Sequence, residues 1–366
     1  MMNSNLSPHM RPSWAAGTGR GIARTLHTLV SPGDGADALP WSLRLVRSLA
    51  VQDWWVVGYF AVLLLLVLQG RGPHRELCIE RVGMDLGCVL VGLVMVRGHL
   101  VRWGGRVSAG LYRFVLTGTV LGSYFQLKDI LPEVTTRALD PQILAFDRHV
   151  FHYEPALAWD RFVNPHTVEW FAFFYFGYFV LISLYVLGSM FLARDRHRLA
   201  EFSLGVLLVF CTGHITYMLV PGFGPYHFLD RAFAHRLEGA TFWHLVQATV
   251  QSAGAQKDIF PSLHTGVPTF MSLFAIRHRR VSPFRYAWLP TVLFTSQIIV
   301  ATMFLRWHYL VDIAAGLTLA SVASVASARI AVWERGRREA MGVTPIWTPL
   351  FTLPVVTARP APADAN

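Results

Sequence analysis

Charge is scarce in this sequence. Of 366 residues only 15% are Asp, Glu, Lys or Arg, while 53% are hydrophobic, and mean hydropathy is +0.41. That balance excludes an ordinary soluble domain. Cysteine is nearly missing too. Cys78, Cys88 and Cys211 show no metal-ligand spacing, and the last two lie inside apolar runs, so neither a disulfide framework nor a thiolate metal site is expected. Lysine is rarer still: of 32 Lys plus Arg, only Lys128 and Lys257 are lysines. Residues 1–40 hold Ser, Pro, Gly and scattered Arg but no apolar core segment, so no signal peptide is expected there. The arginines fall in short clusters between apolar runs rather than in one basic domain, which argues against a nucleic-acid partner.

What the chain does have is long apolar runs. A hydrocarbon core roughly 30 Å thick needs about 20 such residues per helix. Eight stretches qualify as spans: 54–68, 86–101, 111–127, 168–192, 202–220, 263–276, 286–304 and 309–332. The fold class is therefore all-α, a polytopic membrane helical bundle of about eight transmembrane helices. The organisation expected is a mobile tail over 1–48, two accessory spans over 49–107, a six-span catalytic core over 108–334 and a cytoplasmic tail over 335–366. A further stretch, 138–159, mixes Asp140, Asp147 and Arg148 with Leu, Phe and Trp and reads as lying along the membrane interface.

Arginine clusters orient the bundle, because cytoplasmic loops collect basic residues. Arg102 and Arg106, then Arg194, Arg196 and Arg198, then Arg277, Arg279, Arg280 and Arg285 follow even-numbered spans, and Arg335, Arg337 and Arg338 follow the last. These connections and both termini are assigned to the cytoplasm. Arg71, Arg75 and Arg81 in the first loop argue the other way, with Glu76 and Glu80 beside them. The connections 3–4, 5–6 and 7–8 then share the opposite, extracytoplasmic face.

Two motifs meet on that face. His264 opens span six and His308 closes span seven, and two crossings between two residues return the chain to the same side. Ser262 precedes an apolar run and reads as an N-cap, with Pro268 bending the first turns. His308 and Asp312 are four apart on a helix, hence one turn apart on one face. A carboxylate one turn inside the bilayer is costly and points to function. Paired with one imidazole nitrogen, it leaves the other as nucleophile or base. Lys128, Lys257 and the Gly222/Gly224 turn fall on the same face, and the two lysines suit a phosphate as point charges.

Phe260-Pro-Ser-Leu-His264 followed by Arg306-Trp-His-Tyr-Leu-Val-Asp312 resembles the type 2 phosphatidic acid phosphatase superfamily, in particular its inositol phosphorylceramide synthase-like branch. Tyr124-Phe-Gln-Leu-Lys128-Asp-Ile-Leu-Pro132, with Phe146-Asp-Arg and Val150-Phe151 beyond it, looks like that branch's upstream region. The similarity runs over about 111–332. It implies that His308 attacks phosphorus and forms a phosphohistidine, that Asp312 orients it, and that His264 protonates the leaving oxygen and later activates the acceptor. Ser262 and Lys128 would help hold phosphate. The chain departs from the pattern at Leu263, where the superfamily commonly has glycine. Thr302 and Thr135 stand where it commonly has arginines, and Ala301 replaces a serine. Arg306 and Lys257 are the expected substitutes for that missing charge.

The substrate expected is a membrane phospholipid or a polyprenyl or sphingolipid phosphate, with water or a lipid hydroxyl as acceptor and no metal or other cofactor. Two readings of other classes stay open. His264, His308 and Asp312 form a possible zinc or iron ligand set, and the same groups suit a proton relay in a transporter. The aromatic run 171–179 reads as packing and lipid anchoring rather than as part of a site.

Overall fold

The chain is described here from a computed structural model, which covers residues 40–98, 105–193, 195–253, 256–348 and 350. Arg102 and Arg194 lie outside the described residues. So do residues 1–39 of the expected N-terminal tail and all but one of the residues past 348 in the C-terminal tail.

Each predicted span is helical over most of its described residues; residues 99–101 of the second lie outside them. Trp41–Ser48 (α1) leads into Val51–Gln69 (α2) and Arg75–Arg97 (α3). The third span is broken: Gly105–Arg113 (α4) passes through a π-helical turn, Phe114–Gly118, into Thr119–Tyr124 (α5), and Leu127–Val134 (α6) follows. Asp140–Val150 (α7) forms within the amphipathic stretch. The remainder comprises Pro165–Leu187 (α8), Arg196–Leu219 (α9), Thr241–Ala253 (α10), Leu263–Arg277 (α11), Phe284–Phe304 (α12) and Leu310–Ala340 (α13). No strand occurs among the described residues; Gly222 and Asp258 make one isolated bridge. The fold is an all-α bundle.

Among the described residues five helices are long and apolar enough to cross a membrane: α2, α8 with its π-helical extension to Leu192, α9, α12 and α13. The expected eight are thus reduced for physical reasons. Helix α3 carries Arg75, Glu76, Glu80, Arg81 and Asp85 in its first half, the third span is interrupted, and α11 has only 15 residues. Helix α10 was not anticipated. Within the bundle α9 is central: 72% of its apolar window is buried, against 33–39% for the other four. The rest turn bare apolar side chains outward, such as Leu184, Leu192, Leu293 and Val322, as lipid contact requires.

Helix α11 packs against both α12 and α13, with α9 against α11 and α13. The α11–α13 approach depends on Gly316. A Cβ there would stand 2.6 Å from the Ser262 carbonyl oxygen, so only glycine lets the two backbones come this close. Helix α11 runs through Pro268 without interruption.

Candidate functional site

The turns that carry the two histidines are tied together by backbone hydrogen bonds. Ser262 N–H donates to the Asp312 carbonyl (3.0 Å), Gly222 N–H to that of Lys257 (3.2 Å) and Tyr226 N–H to that of Arg306 (2.7 Å). Trp307 and His308 N–H both reach the Thr302 carbonyl, at 2.9 and 3.3 Å. Gly224 adopts φ +89°, and a Cβ on it would stand 2.3 Å from the Trp307 carbonyl oxygen. Glycine is therefore required at that turn.

Helix α7 fastens this assembly from the side. Asp140 accepts from Phe223 N–H, Gly224 N–H and the Tyr309 hydroxyl. One helical face further on, Asp147 accepts from Leu310 N–H (2.7 Å) and Val311 N–H (2.8 Å), capping α13. Charge-assisted bonds of this kind contribute about 1.5–3 kcal/mol each.

His264 and His308 come to the same end of the bundle, with ring centroids 6.4 Å apart. Asp312 Oδ2 accepts from Tyr309 N–H at 2.9 Å and sits 3.4 Å from His308 Nδ1. His308 is only 5% exposed and Asp312 fully buried. Burial pushes the His308 imidazole down to about 4, against the opposing pull of the Asp258 carboxyl and the Ile259 backbone. The ring is therefore neutral at physiological pH.

Both imidazoles line a cavity of about 290 Å³. Its wall is aromatic: Tyr124, Tyr175, Tyr178, Tyr217, Tyr226 and Trp307 are the polar-edged members. His264 lies against two of them. Its centroid is 4.3 Å from that of Tyr175, nearly parallel at 12°, and 4.0 Å from that of Tyr178. These two belong to the aromatic run assigned above to packing. Three and four residue spacings along α8 put one face of that run on the histidine and leave Phe173 and Val180 outward. Asp258 is the carboxyl in the lining, and the Tyr124 hydroxyl donates to its Oδ2 at 3.1 Å. Burial raises its pKa.

The expected phosphate-holding residues are arranged differently. The Ser262 hydroxyl is fully buried and accepts from Thr265 N–H as the N-cap of α11. Lys128 Nζ donates to the Ser252 carbonyl and Lys257 Nζ to that of Thr136, both at 3.2 Å. Lys257 also lies over the Phe223 ring, at the cavity wall. Arg306, at φ +65°, pairs with Asp160 (2.7 Å), donates to the His235 carbonyl and stacks on Phe233. None of the described lining residues is Lys or Arg. Leu263, standing where glycine was expected, fills the space beside Gly213. Among the described residues no group of three His, Cys, Asp or Glu side chains is placed to hold a metal.

Two histidines and a buried aspartate thus meet at one end of a helical membrane bundle. Residues 141–326 match the PAP2 superfamily, just over half of the chain, and the chain belongs to that superfamily. Its members are generally phosphatases, so phosphatase or phosphotransferase chemistry is the activity this membership indicates. No curated protein and no solved structure matches the chain.

Proposed function

We propose that this chain is an integral-membrane lipid phosphatase or phosphotransferase working through a phosphohistidine on His308. The observation that carries the reading is the pair of imidazoles, 6.4 Å apart across a cavity lined for a lipid headgroup. Asp312, against Nδ1, leaves Nε2 to attack phosphorus. The P–O bond to the leaving group breaks, and His264 gives its proton to the departing oxygen. His264 then takes a proton from the acceptor hydroxyl as that oxygen attacks the phosphohistidine, which restores both rings. The faces of Tyr175 and Tyr178 suit the imidazolium form that His264 has before the first step and regains in the second; between the two it is the neutral base. The positive end of α11 adds to the field at the phosphate. No metal or other cofactor enters these steps.

The substrate is a membrane lipid, and the acceptor is water or a lipid hydroxyl. Transfer to a lipid hydroxyl, as in an inositol phosphorylceramide synthase-like enzyme, is favoured by the aromatic wall, which suits a second lipid better than free water. We further propose that the cavity faces the extracytoplasmic side of a bacterial plasma membrane, since Arg277, Arg337 and Arg338 sit at the other end of the bundle.

The test is purified protein with labelled phospholipid, with and without an alcohol acceptor. Wild type should release or transfer the label, resist chelators, be inhibited by vanadate and trap an acid-labile phosphoenzyme. His308→Ala should do none of this. Turnover surviving in that variant sinks the reading.

A further inference from the structure

We propose that the cavity takes lipids whose headgroup is zwitterionic, a phosphate carrying an ammonium group, with the ammonium held by Asp258 and the neighbouring aromatic rings. The proposal rests on the phosphoryl-transfer reading above and names the substrate class of that same site.

The argument begins from the sign of the charge in the wall. A site built for a phosphate monoester dianion presents arginine or lysine to it. Here the described lining holds neither, and the charge-bearing group it does hold is a carboxyl. Arg306 is committed to Asp160, the His235 carbonyl and the Phe233 face. Lys128 and Lys257 are each bound to a backbone carbonyl. A dianion beside the phosphate-accepting histidine would meet Asp258 as a like charge. A zwitterion meets it with the opposite one.

The rest of the wall fits the second case. A quaternary or primary ammonium is attracted to the faces of tyrosine and tryptophan, and a ring of them with one carboxylate is a recurrent solution for such cations. Tyr226 and Trp307 stand 4.6 Å apart at their centroids, and Trp307 is 6.0 Å from Tyr175. The Tyr124 hydroxyl fixes the carboxyl in the wall. Burial raises the Asp258 pKa, so the carboxyl ionises most readily with a cation beside it. Asp258 and His308 line the same small cavity, so the ammonium and the phosphorus of one headgroup fall within it. A neutral polyol would use the carboxyl as an acceptor but would gain nothing from the charge.

The experiment compares kcat/KM for three lipids of identical chains, bearing phosphocholine, phosphoinositol or a bare phosphate, in detergent-solubilised full-length protein. Wild type should favour phosphocholine over each of the others by tenfold or more. Asp258→Asn should reduce that preference at least tenfold. Tyr226→Leu should reduce it as well, whereas Tyr226→Phe, which keeps the ring face, should retain it. A wild-type preference for bare phosphate or phosphoinositol overturns the proposal. So does an Asp258→Asn variant that slows all three lipids equally. Absence of turnover on every lipid would count against phosphoryl transfer itself. In that event, binding of a short-chain phosphocholine lipid to His308→Ala protein, measured against the corresponding phosphatidic acid, still decides the headgroup. Equal binding of the two refutes the ammonium site.

Discussion

The two ends of the bundle handle charge in opposite ways. At the end away from the histidines, buried ions are matched. Arg97 pairs with Asp53 at 3.1 Å and shares Tyr112 with it. Glu201 bridges Arg277 and His278, and Glu334 bridges Arg337 and Arg338. At the histidine end the cavity wall is nearly free of fixed charge: neutral rings, hydroxyls and one carboxyl. The first arrangement fixes helix positions, because breaking a buried pair leaves an uncompensated ion. The second leaves its electrostatic demand for the substrate to fill. At both ends the ions that hold the shape, Arg306 with Asp160 among them, are thus kept out of the cavity that the two histidines line.

That separation can be broken from either side. The largest effect expected is His308→Ala, which should lower kcat by about 10⁴-fold or more, to background turnover, as loss of a nucleophile does. Thermal stability should change little by comparison. Asp312→Asn comes next, with a fall of about 10²–10⁴-fold in kcat, since an orienting carboxylate sets the imidazole tautomer. A shift confined to KM would refute that role. Asp53→Ala tests the other end: it should cost about 3–5 kcal/mol of stability, read as a lower unfolding midpoint, while kcat per folded molecule is kept. Loss of turnover in the folded fraction would erase the distinction drawn here.

Acid should reveal the same contrast. Burial holds His308 at about 4 instead of 6.5, so its neutral, attacking form persists as pH falls and is lost only on passing through about 4. The acid limb of kcat/KM should lie there, about tenfold per unit below it. A limb near 6.5 would mean an exposed ring. The smallest effect expected is from Lys128→Ala or Lys257→Ala, each below about tenfold in kcat/KM, since neither side chain lines the cavity. A loss of 10²-fold or more, the scale of an oxyanion-hole donor, would restore a fixed cation to the phosphate.

Much of this was legible in the sequence because the strongest signals are long and periodic. The apolar runs carry helix in each of the eight predicted spans, although among the described residues only five helices are long and apolar enough to cross, and counting crossings put His264 and His308 at one end. Asp312 does stand beside His308, though not as two positions of one helix: α13 starts at Leu310 with Tyr309 as its N-cap, and His308 lies in the turn before it. Other features need packing to be seen. Tyr175 and Tyr178 sit in a run of phenylalanines whose pattern does not tell which face is inward. Helix α10 hides in a turn-rich connection, and its amphipathic face has meaning only against α8. Asp140 and Asp147 read as polar residues on an interfacial helix, yet their carboxylates clasp segments more than eighty residues away. Arg306 looked like a phosphate ligand until its backbone conformation and its partner Asp160 turned it elsewhere.

Gly316 sets one more quantity. With 2.6 Å between the Ser262 oxygen and the place a methyl would occupy, hydrogen is the largest substituent position 316 tolerates. The spacing of the two histidines is gauged at this crossing, where α11 leans on α13 without a side chain between them. An alanine there would act as a shim, prising the two imidazoles apart.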